Sequence, residues 1–155
     1  MRRLLFVPAH LNFVYLDFFS QNEFVYWSNG IMSGIFDYPY DVRTVEVIGR
    51  YLGHEKMGEN TGFVATGFMY AGNTGIVIYT LIVTFLFNII NALGKSTHKY
   101  FVMSLVFMPL NILFRSSDLL TSILTHGIIV SIIALWLYSN KEYVLKIGKF
   151  TVYKI

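Results

Sequence analysis

The chain has 155 residues, of which 55% are hydrophobic and only 14% are charged. Soluble domains are about 45–50% apolar and about 25% charged, so this composition argues against a soluble enzyme and excludes a disordered chain. The sequence contains no cysteine, which excludes disulfides, thiolate metal sites and cysteine nucleophiles. The net charge of +3 is small and its residues are scattered, so no nucleic-acid partner is expected. We expect an all-α integral membrane protein.

Residues 1–61 are predicted to form an extracytoplasmic or interfacial region without a clean membrane crossing. Within it, residues 4–19 are apolar but contain Pro8 and Asp17. Placing Asp17 at bilayer depth would cost about 2.5–3.5 kcal/mol, which favours a helix that lies at the interface or packs on other helices. The basic start resembles a signal sequence, but Pro8 interrupts the apolar run and no small-residue cleavage site follows. A signal anchor is the less favoured alternative.

The rest of this region is predicted to be a loop over 20–42 and a short helix over 42–52. Gly, Asn, Asp and Pro punctuate the loop, and Arg43 and Glu46 are spaced to pair on one face of the helix. The same region is rich in aromatic residues, namely Phe18, Phe19, Phe24, Tyr26, Trp27, Phe36, Tyr38 and Tyr40. They either anchor the segment at a membrane interface, which is the commoner role, or stack on sugar rings.

Small residues precede the first long apolar stretch. Gly67, Ala71 and Gly75 recur every fourth residue, a spacing that lets another helix approach closely. Alternatively, residues 62–71 form a half-helix that dips into the membrane before the long span begins. Both interpretations place this stretch against protein rather than lipid.

About three transmembrane helices are predicted within residues 62–138. The first, 75–93, is uncharged and at about 1.5 Å per residue covers roughly 28 Å, close to the ~30 Å hydrocarbon core of a bilayer. The second, 100–114, is shorter and contains Pro109, so we expect a kinked or extended helix. The third, 119–138, ends in a Trp and a Tyr that are typical of an interfacial anchor.

The charges that flank these spans predict the topology. Residues 94–99 hold two lysines and no acid, and the tail, 139–155, holds four lysines against Glu142 alone. The positive-inside rule places both segments in the cytoplasm, so residues 1–61 and 115–118 are expected outside.

No soluble-enzyme motif is present, and the four histidines are isolated, so neither a metal nor a cofactor is expected. Arg2 and Arg3 stand immediately before an apolar segment. A guanidinium group donates two hydrogen bonds to one anion, so the pair is a candidate clamp for a diphosphate lipid at the outer surface. The commoner role of such a pair is to bind lipid head groups or to form an ordinary basic start.

Polar groups also mark the predicted outer end of the third span. Asp118, Thr121, Ser122 and Thr125 share one helix face, and His126 shares part of it. Ionisable residues within spans usually face the bundle interior or a wet cavity. The equally weighted alternative is a packing face in which Arg115 and Asp118 form an ion pair. Asn60 and Thr61 precede the small residues, where capping of the following helix is their simplest role.

A series of short motifs occurs in an order that resembles a known family. The motifs are Arg2-Arg3-x-x-Phe6-x-Pro8-Ala9, Tyr15-x-Asp17-Phe18-Phe19, Pro39-Tyr40, Val47-Ile48-Gly49, Tyr51-x-Gly53, Asn60-Thr61-Gly62-Phe63-x-Ala65-x-Gly67, Gly72-x-x-Gly75 and Ser122-x-Leu124-Thr125-His126-Gly127. Over roughly residues 2–138, this series resembles the C-terminal part of bacterial oligosaccharide repeat-unit polymerases of the O-antigen polymerase (Wzy) type. Each motif is loose by itself, and their order carries the resemblance.

The resemblance implies a multi-pass glycosyltransferase of the bacterial inner membrane. Such enzymes join oligosaccharide repeat units carried on undecaprenyl diphosphate at the outer face of the cytoplasmic membrane, without nucleotide sugar, metal or cofactor. It implies that Arg2 and Arg3, and more weakly Arg50 and Arg115, bind the diphosphate. Asn60 and His126 complete the candidate residues for binding the lipid diphosphate or the glycan. No catalytic base, sugar or linkage is assigned.

The chain departs from the family in its number of spans, because family members have many more. We therefore expect this chain to be inactive unless it assembles with the N-terminal spans of a polymerase or with other envelope polysaccharide proteins. Two alternatives stay open at this stage. One is a fragment of an O-antigen ligase, which uses the same donor, and the other is a small non-catalytic membrane protein that packs on a partner through its small-residue ridge.

Overall fold

The computed structural model describes residues 2–29, 34–54, 58–139, 145–147 and 150–152. Within these ranges the regular elements are helices, apart from a short antiparallel hairpin near the C-terminus. The helices are α1 (Arg2–Gln21), α2 (Thr44–Tyr51), α3 (Phe63–Gly94), α4 (Lys99–Arg115), α5 (Leu119–Leu124) and α6 (Ile128–Ser139). The hairpin pairs β1 (Leu145–Ile147) with β2 (Phe150–Val152), and no strand was predicted there from the sequence.

Helix α1 packs one face against α3 and leaves another face exposed. The buried face consists of Leu11, Val14, Tyr15 and Phe19, which recur at helical spacing. On the other side, Phe6 is 70% exposed and Phe13 is 71% exposed. Residues 4–19 thus form a helix that packs on another helix, one of the two arrangements that their composition favours.

Helix α3 is broken at Ala71 and Gly72 into a first arm, 63–70, and a second arm, 73–94. Gly72 has φ 59° and ψ −142°, a backbone conformation that favours glycine because a Cβ atom would be strained there. Ala71, at φ −154° and ψ 33°, is also outside the helical region. The break therefore occurs where two small residues, Ala71 and Gly72, are adjacent in the sequence.

The two arms of α3 fold back against each other. A Cβ atom built on Gly75 would lie 1.9 Å from the carbonyl oxygen of Gly67, so the two backbones are in direct contact. The half-helix expected over 62–71 is therefore present in the first arm. The small residues let the two arms of α3 approach each other closely, and no other helix fits between Gly67 and Gly75.

The loop after α1 holds the end of the first arm. Val25 donates its backbone N–H to the Met69 carbonyl at 3.0 Å, and Tyr26 donates to the Tyr70 carbonyl at 3.0 Å. These bonds satisfy carbonyl groups that lose their helical partners where α3 breaks. Tyr26 and Trp27 adopt φ 48° and 57°, which is strained for residues with side chains and directs the chain across the broken helix.

The third predicted span, 119–138, is two helices rather than one. α5 ends at Leu124 and α6 begins at Ile128, with Gly127 at φ 94° between them. This conformation ends a helix, and glycine is the residue that adopts it without strain. The second predicted span corresponds to α4, which stays continuous through Pro109. At the far end of the bundle, the hydroxyl groups of Ser96 and Ser139 lie 2.6 Å apart.

Helix α3 is the one described helix that is long and apolar enough to cross a membrane by length and composition, and α6 is a shorter apolar helix. The predominantly helical class is therefore confirmed, with a hairpin added in the tail.

The helix directions define two ends of the molecule. Thr61, just before the first arm, donates a hydrogen bond to Asn12 in the middle of α1 at 3.0 Å, and the loop after α1 bonds to Met69 and Tyr70 at the break. Helix α1 therefore runs parallel to the first arm and toward the break. Its first residues lie away from the break, in the direction in which the second arm runs. We call the end that carries Lys95 and Lys99 the lysine end, and the opposite end, at the α3 break, the break end.

Candidate functional site

A cavity of about 850 Å³ opens between the first arm of α3 and α5, on the side of the molecule toward the break end. Thr44 and Val45, the first residues of α2, also line it. Its polar lining groups are Asn29, Thr44, Asn60, Thr61, Thr66, Ser116, Ser117, Asp118, Thr121, Thr125 and His126. Tyr15, Trp27 and Tyr70 add aromatic surface. The lining is therefore far more polar than the helices that carry it, which is typical of a ligand site in an otherwise apolar protein.

Helix α5 and the residues that follow it supply one polar wall. Thr121, Thr125 and His126 line the cavity, because α5 ends one turn before Gly127 and turns their side chains toward the first arm. Ser122 was expected on the same face but is fully buried, and its Oγ forms no hydrogen bond with a described residue. The polar face predicted for the third span is thus divided between the cavity and the interior.

Asp118 has a structural role at the edge of this wall. Its Oδ2 accepts a hydrogen bond from the backbone N–H of Leu120 at 3.0 Å and so caps the start of α5. Its Oδ1 accepts a hydrogen bond from the Tyr79 hydroxyl at 3.0 Å. The ion pair with Arg115, considered from the sequence, does not form among the described residues. Both carboxylate oxygens are occupied by partners that fix α5 against the second arm.

The Tyr79 hydroxyl extends this network to the loop after α1. It accepts a hydrogen bond from Trp27 Nε1 at 3.2 Å. The Trp27 ring is stacked on Tyr70 with 5.0 Å between ring centroids and an interplanar angle of 9°. The two walls of the cavity are therefore linked by one chain of contacts from Tyr70 through Trp27 and Tyr79 to Asp118.

His126 is the one histidine among the lining residues. Its side chain is half-buried and forms no hydrogen bond within the part of the chain that the structure describes. An imidazole without a protein partner in a polar cavity is available to a bound ligand as a proton donor or acceptor.

Arg115 lies at the C-terminus of α4, directly before the lining residues Ser116 and Ser117. Its Nη1 donates to Asn111 Oδ1 at 3.0 Å, while its Nε is buried and forms no hydrogen bond with a described residue. Burying a guanidinium N–H without a partner costs free energy, and the guanidinium keeps further N–H donors for an anion.

A close backbone contact fixes this end of α4. A Cβ atom on Gly62 would lie 2.2 Å from the Phe114 carbonyl oxygen, so the start of the first arm and the end of α4 touch directly. Asn60 therefore comes to the cavity beside the end of α4, and its side chain is exposed there. Capping does not explain Asn60 and Thr61, because the N-cap of α3 is Gly62 and no side chain caps the first turn of this helix. Thr61 instead bonds to α1.

The structure does not bring the remaining predicted arginines to this cavity. Arg50 is exposed at the end of α2 and pairs with Asp41, with 3.1 Å between its Nη1 and the carboxylate Oδ2. Arg2 and Arg3 are the first residues of α1, about 15 Å along the helix from Asn12 in the direction of the lysine end. Of the six candidate binding residues, Asn60 and His126 line the cavity. Arg115 directly precedes two lining residues in the chain, but its guanidinium bonds to Asn111, which is not part of the lining.

Trp27, Tyr70 and Asn29 were not predicted as site residues. Trp27 was in the aromatic group noted from the sequence, but its contact with Tyr70 joins residues far apart in the chain and has no local signal. Asn29 lines the cavity from the same loop and bonds to Thr44 Oγ1 at 3.3 Å.

Comparison of the chain with models of known families, with curated proteins and with solved structures finds no match.

Proposed function

We propose that this chain is part of a membrane glycosyltransferase that uses a lipid-diphosphate-linked oligosaccharide, as the resemblance to O-antigen polymerases implies. The observation that carries the proposal is the polar cavity at one end of an apolar helix bundle, lined by Asn60 and His126. A sugar needs many hydrogen-bonding partners and a diphosphate needs a cation. The cavity offers the partners, and Arg115, which directly precedes the lining residues Ser116 and Ser117 in the chain, is the candidate cation.

In this proposal the second arm of α3, α4 and the α5–α6 pair cross the cytoplasmic membrane of a bacterium. The second arm is about 33 Å long and α4 is about 25 Å long, lengths that suit a hydrocarbon core of about 30 Å. The lysine end faces the cytoplasm by the positive-inside rule, and the cavity opens at the outer face. α1 then runs from the inner side outward, so residues 1–61 are not all outside, and Arg2 and Arg3 are omitted from the diphosphate site.

The proposed reaction is glycosyl transfer to a sugar hydroxyl. The acceptor oxygen attacks the anomeric carbon of the donor, the bond from that carbon to the diphosphate oxygen breaks, and lipid diphosphate leaves. Arg115 stabilises the charge that develops on the leaving diphosphate. His126 accepts the proton of the acceptor hydroxyl, while Asn60 and Thr121 orient the sugars. Asp118 holds α5 in place and does not take the proton, because both its oxygens are bonded.

The test uses a bacterial strain that lacks its repeat-unit polymerase but still makes the lipid-linked unit. The chain is expressed with its in-frame flanking sequence, and the lengths of surface polysaccharide are read on a gel. We expect His126→Ala and Arg115→Gln to lower polymer yield at least tenfold. His98→Ala, which changes an exposed histidine near the lysine end, is the matched control and should leave the yield unchanged. Full polymerisation by both cavity variants would refute the assignment.

A strain that lacks its O-antigen ligase distinguishes the ligase alternative. In that strain a ligase would restore the transfer of polysaccharide to the lipid A core and would leave polymer length unchanged. The alternative of a non-catalytic partner protein is less well supported. It requires a ridge of small residues that is free to contact another helix, whereas Gly67 and Gly75 already contact each other.

A further inference from the structure

A second cavity lies between the second arm of α3 and α4, away from the polar one. It is a groove of about 630 Å³ that extends to the lysine end. Its walls are mostly apolar, with Phe87, Ile90, Val102, Val106, Phe107 and Leu110 among them. Lys95 and Lys99 line one mouth of the groove, and neither Asp nor Glu lines any part of it. We call this feature the lysine groove.

The charges at that mouth are unbalanced. Lys95 and Lys99 are both exposed, and neither forms a salt bridge with a described carboxylate. Lys99 Nζ lies 5.2 Å from the centroid of the exposed Tyr100 ring, a contact that leaves its N–H groups available to an anion. Two ammonium groups next to an apolar channel complement a molecule with an anionic head and a hydrocarbon tail.

The length of the lysine groove fits such a molecule. From Lys99 to Phe114, which both line it, α4 rises about 22 Å. One leaflet of the hydrocarbon core is about 15 Å deep, so the groove holds the full length of one phospholipid acyl chain. When an acyl chain lies along α4, the phosphate of its lipid head group is level with Lys95 and Lys99.

We propose that the lysine groove binds one anionic phospholipid, with an acyl chain between α3 and α4 and the phosphate on Lys95 and Lys99. The site is separate from the polar cavity and does not depend on the reaction proposed for it. Charge complementarity distinguishes this occupant from a zwitterionic lipid, which would gain little from two cations.

The experiment measures lipid binding to the purified full chain in detergent by native mass spectrometry. Phosphatidylglycerol and phosphatidylcholine with the same acyl chains are the probes. We expect at least tenfold tighter binding of phosphatidylglycerol, and we expect Lys95→Gln with Lys99→Gln to abolish this preference. Lys95→Arg with Lys99→Arg should keep it, as should Arg43→Gln, which removes an exposed cation from α2. Equal affinity for both lipids, or a preference that survives in the glutamine variant, overturns the proposal.

A second variant tests where the acyl chain lies. Met103→Trp fills the lysine groove from a position that is 58% exposed, so the buried core is undisturbed. We expect it to weaken binding of both lipids, with unchanged helix content by circular dichroism. Unchanged binding overturns the placement of the chain. Because the protein contains no cysteine, Met103→Cys also reports a competing occupant: a disulfide-linked dimer in membranes would show that a second copy covers the groove and overturn the lipid assignment.

Discussion

The backbones of Gly67 and Gly75 touch where α3 folds back on itself, so that a Cβ atom on Gly75 would lie 1.9 Å from the Gly67 carbonyl oxygen. This contact holds the first arm against the second. The first arm in turn supplies Thr66, Met69 and Tyr70 to the wall of the polar cavity. The shape of the candidate site therefore depends on two glycines that lie outside it, because a side chain at either position would prevent the contact.

Gly75→Ala is expected to destabilise the protein because its methyl group collides with backbone rather than with a flexible side chain. Overpacking of this kind costs about 3 kcal/mol. The thermal unfolding midpoint in detergent, followed by circular dichroism, should fall clearly. Gly34→Ala is the matched control, since no atom lies within 4 Å of a Cβ there. Equal midpoints for the two variants would contradict the folded-back arrangement.

Sequence patterns predicted the parts of the fold that local composition determines. The uncharged run over 75–93 and the run over 100–114 predicted the second arm and α4, because apolar helices of that length have a strong local signal. The small residues predicted a break or a close contact near Ala71. α5 and α6 were predicted as one span, since Gly127 lies within an otherwise continuous apolar run and glycine alone does not fix a break.

The candidate site was predicted in part, for a physical reason. Asn60 precedes a predicted helix, and His126 was conspicuous as an ionisable side chain within the predicted span over 119–138. Arg2 and Arg3 were assigned to the same site because their segment was expected to lie along one surface. The direction of α1 is fixed instead by long-range contacts, such as that of Asn12 with Thr61, which no local pattern reveals.

The Tyr79–Asp118 hydrogen bond is expected to contribute measurably to stability. Tyr79→Phe removes a donor to a carboxylate, which costs about 1.5–3 kcal/mol. Asp118→Ala removes the same bond and also the cap of α5, which adds about 1 kcal/mol. In a double-mutant cycle the costs should be less than additive. The exposed Tyr100→Phe serves as the control, and strictly additive costs at Tyr79 and Asp118 would show that the two groups do not interact.

Alkaline pH is expected to weaken the contact between the loop before α2 and the segment just after α1. Burial raises the pKa of Tyr40 to about 12, and its hydroxyl donates to the Glu23 carbonyl at 2.5 Å. A pKa raised on folding contributes stability that is complete below the unfolded value of about 10 and is lost as the pH rises through about 12. The unfolding midpoint of the native chain should therefore fall between pH 10 and 12.

The same titration of Tyr40→Phe supplies the comparison. This variant lacks the ionising hydroxyl, so its midpoint should fall less over that interval and start lower at pH 8. Parallel curves for the two proteins would show that Tyr40 does not ionise with unfolding.

The proposed path of α1 through the membrane predicts which residues react from each side. Single cysteines are introduced at Arg2, Gly34 and Ser96 in this cysteine-free chain, and intact cells are treated with a membrane-impermeant maleimide. Gly34→Cys should react from outside, because its loop leads directly into α2, whose first residue, Thr44, lines the cavity. Ser96→Cys should react only after the inner face is opened, and Arg2→Cys should behave like Ser96→Cys because α1 begins toward the lysine end. Labelling of Arg2→Cys in intact cells would show that α1 begins at the outer surface. Arg2 and Arg3 would then again be candidates for binding the diphosphate.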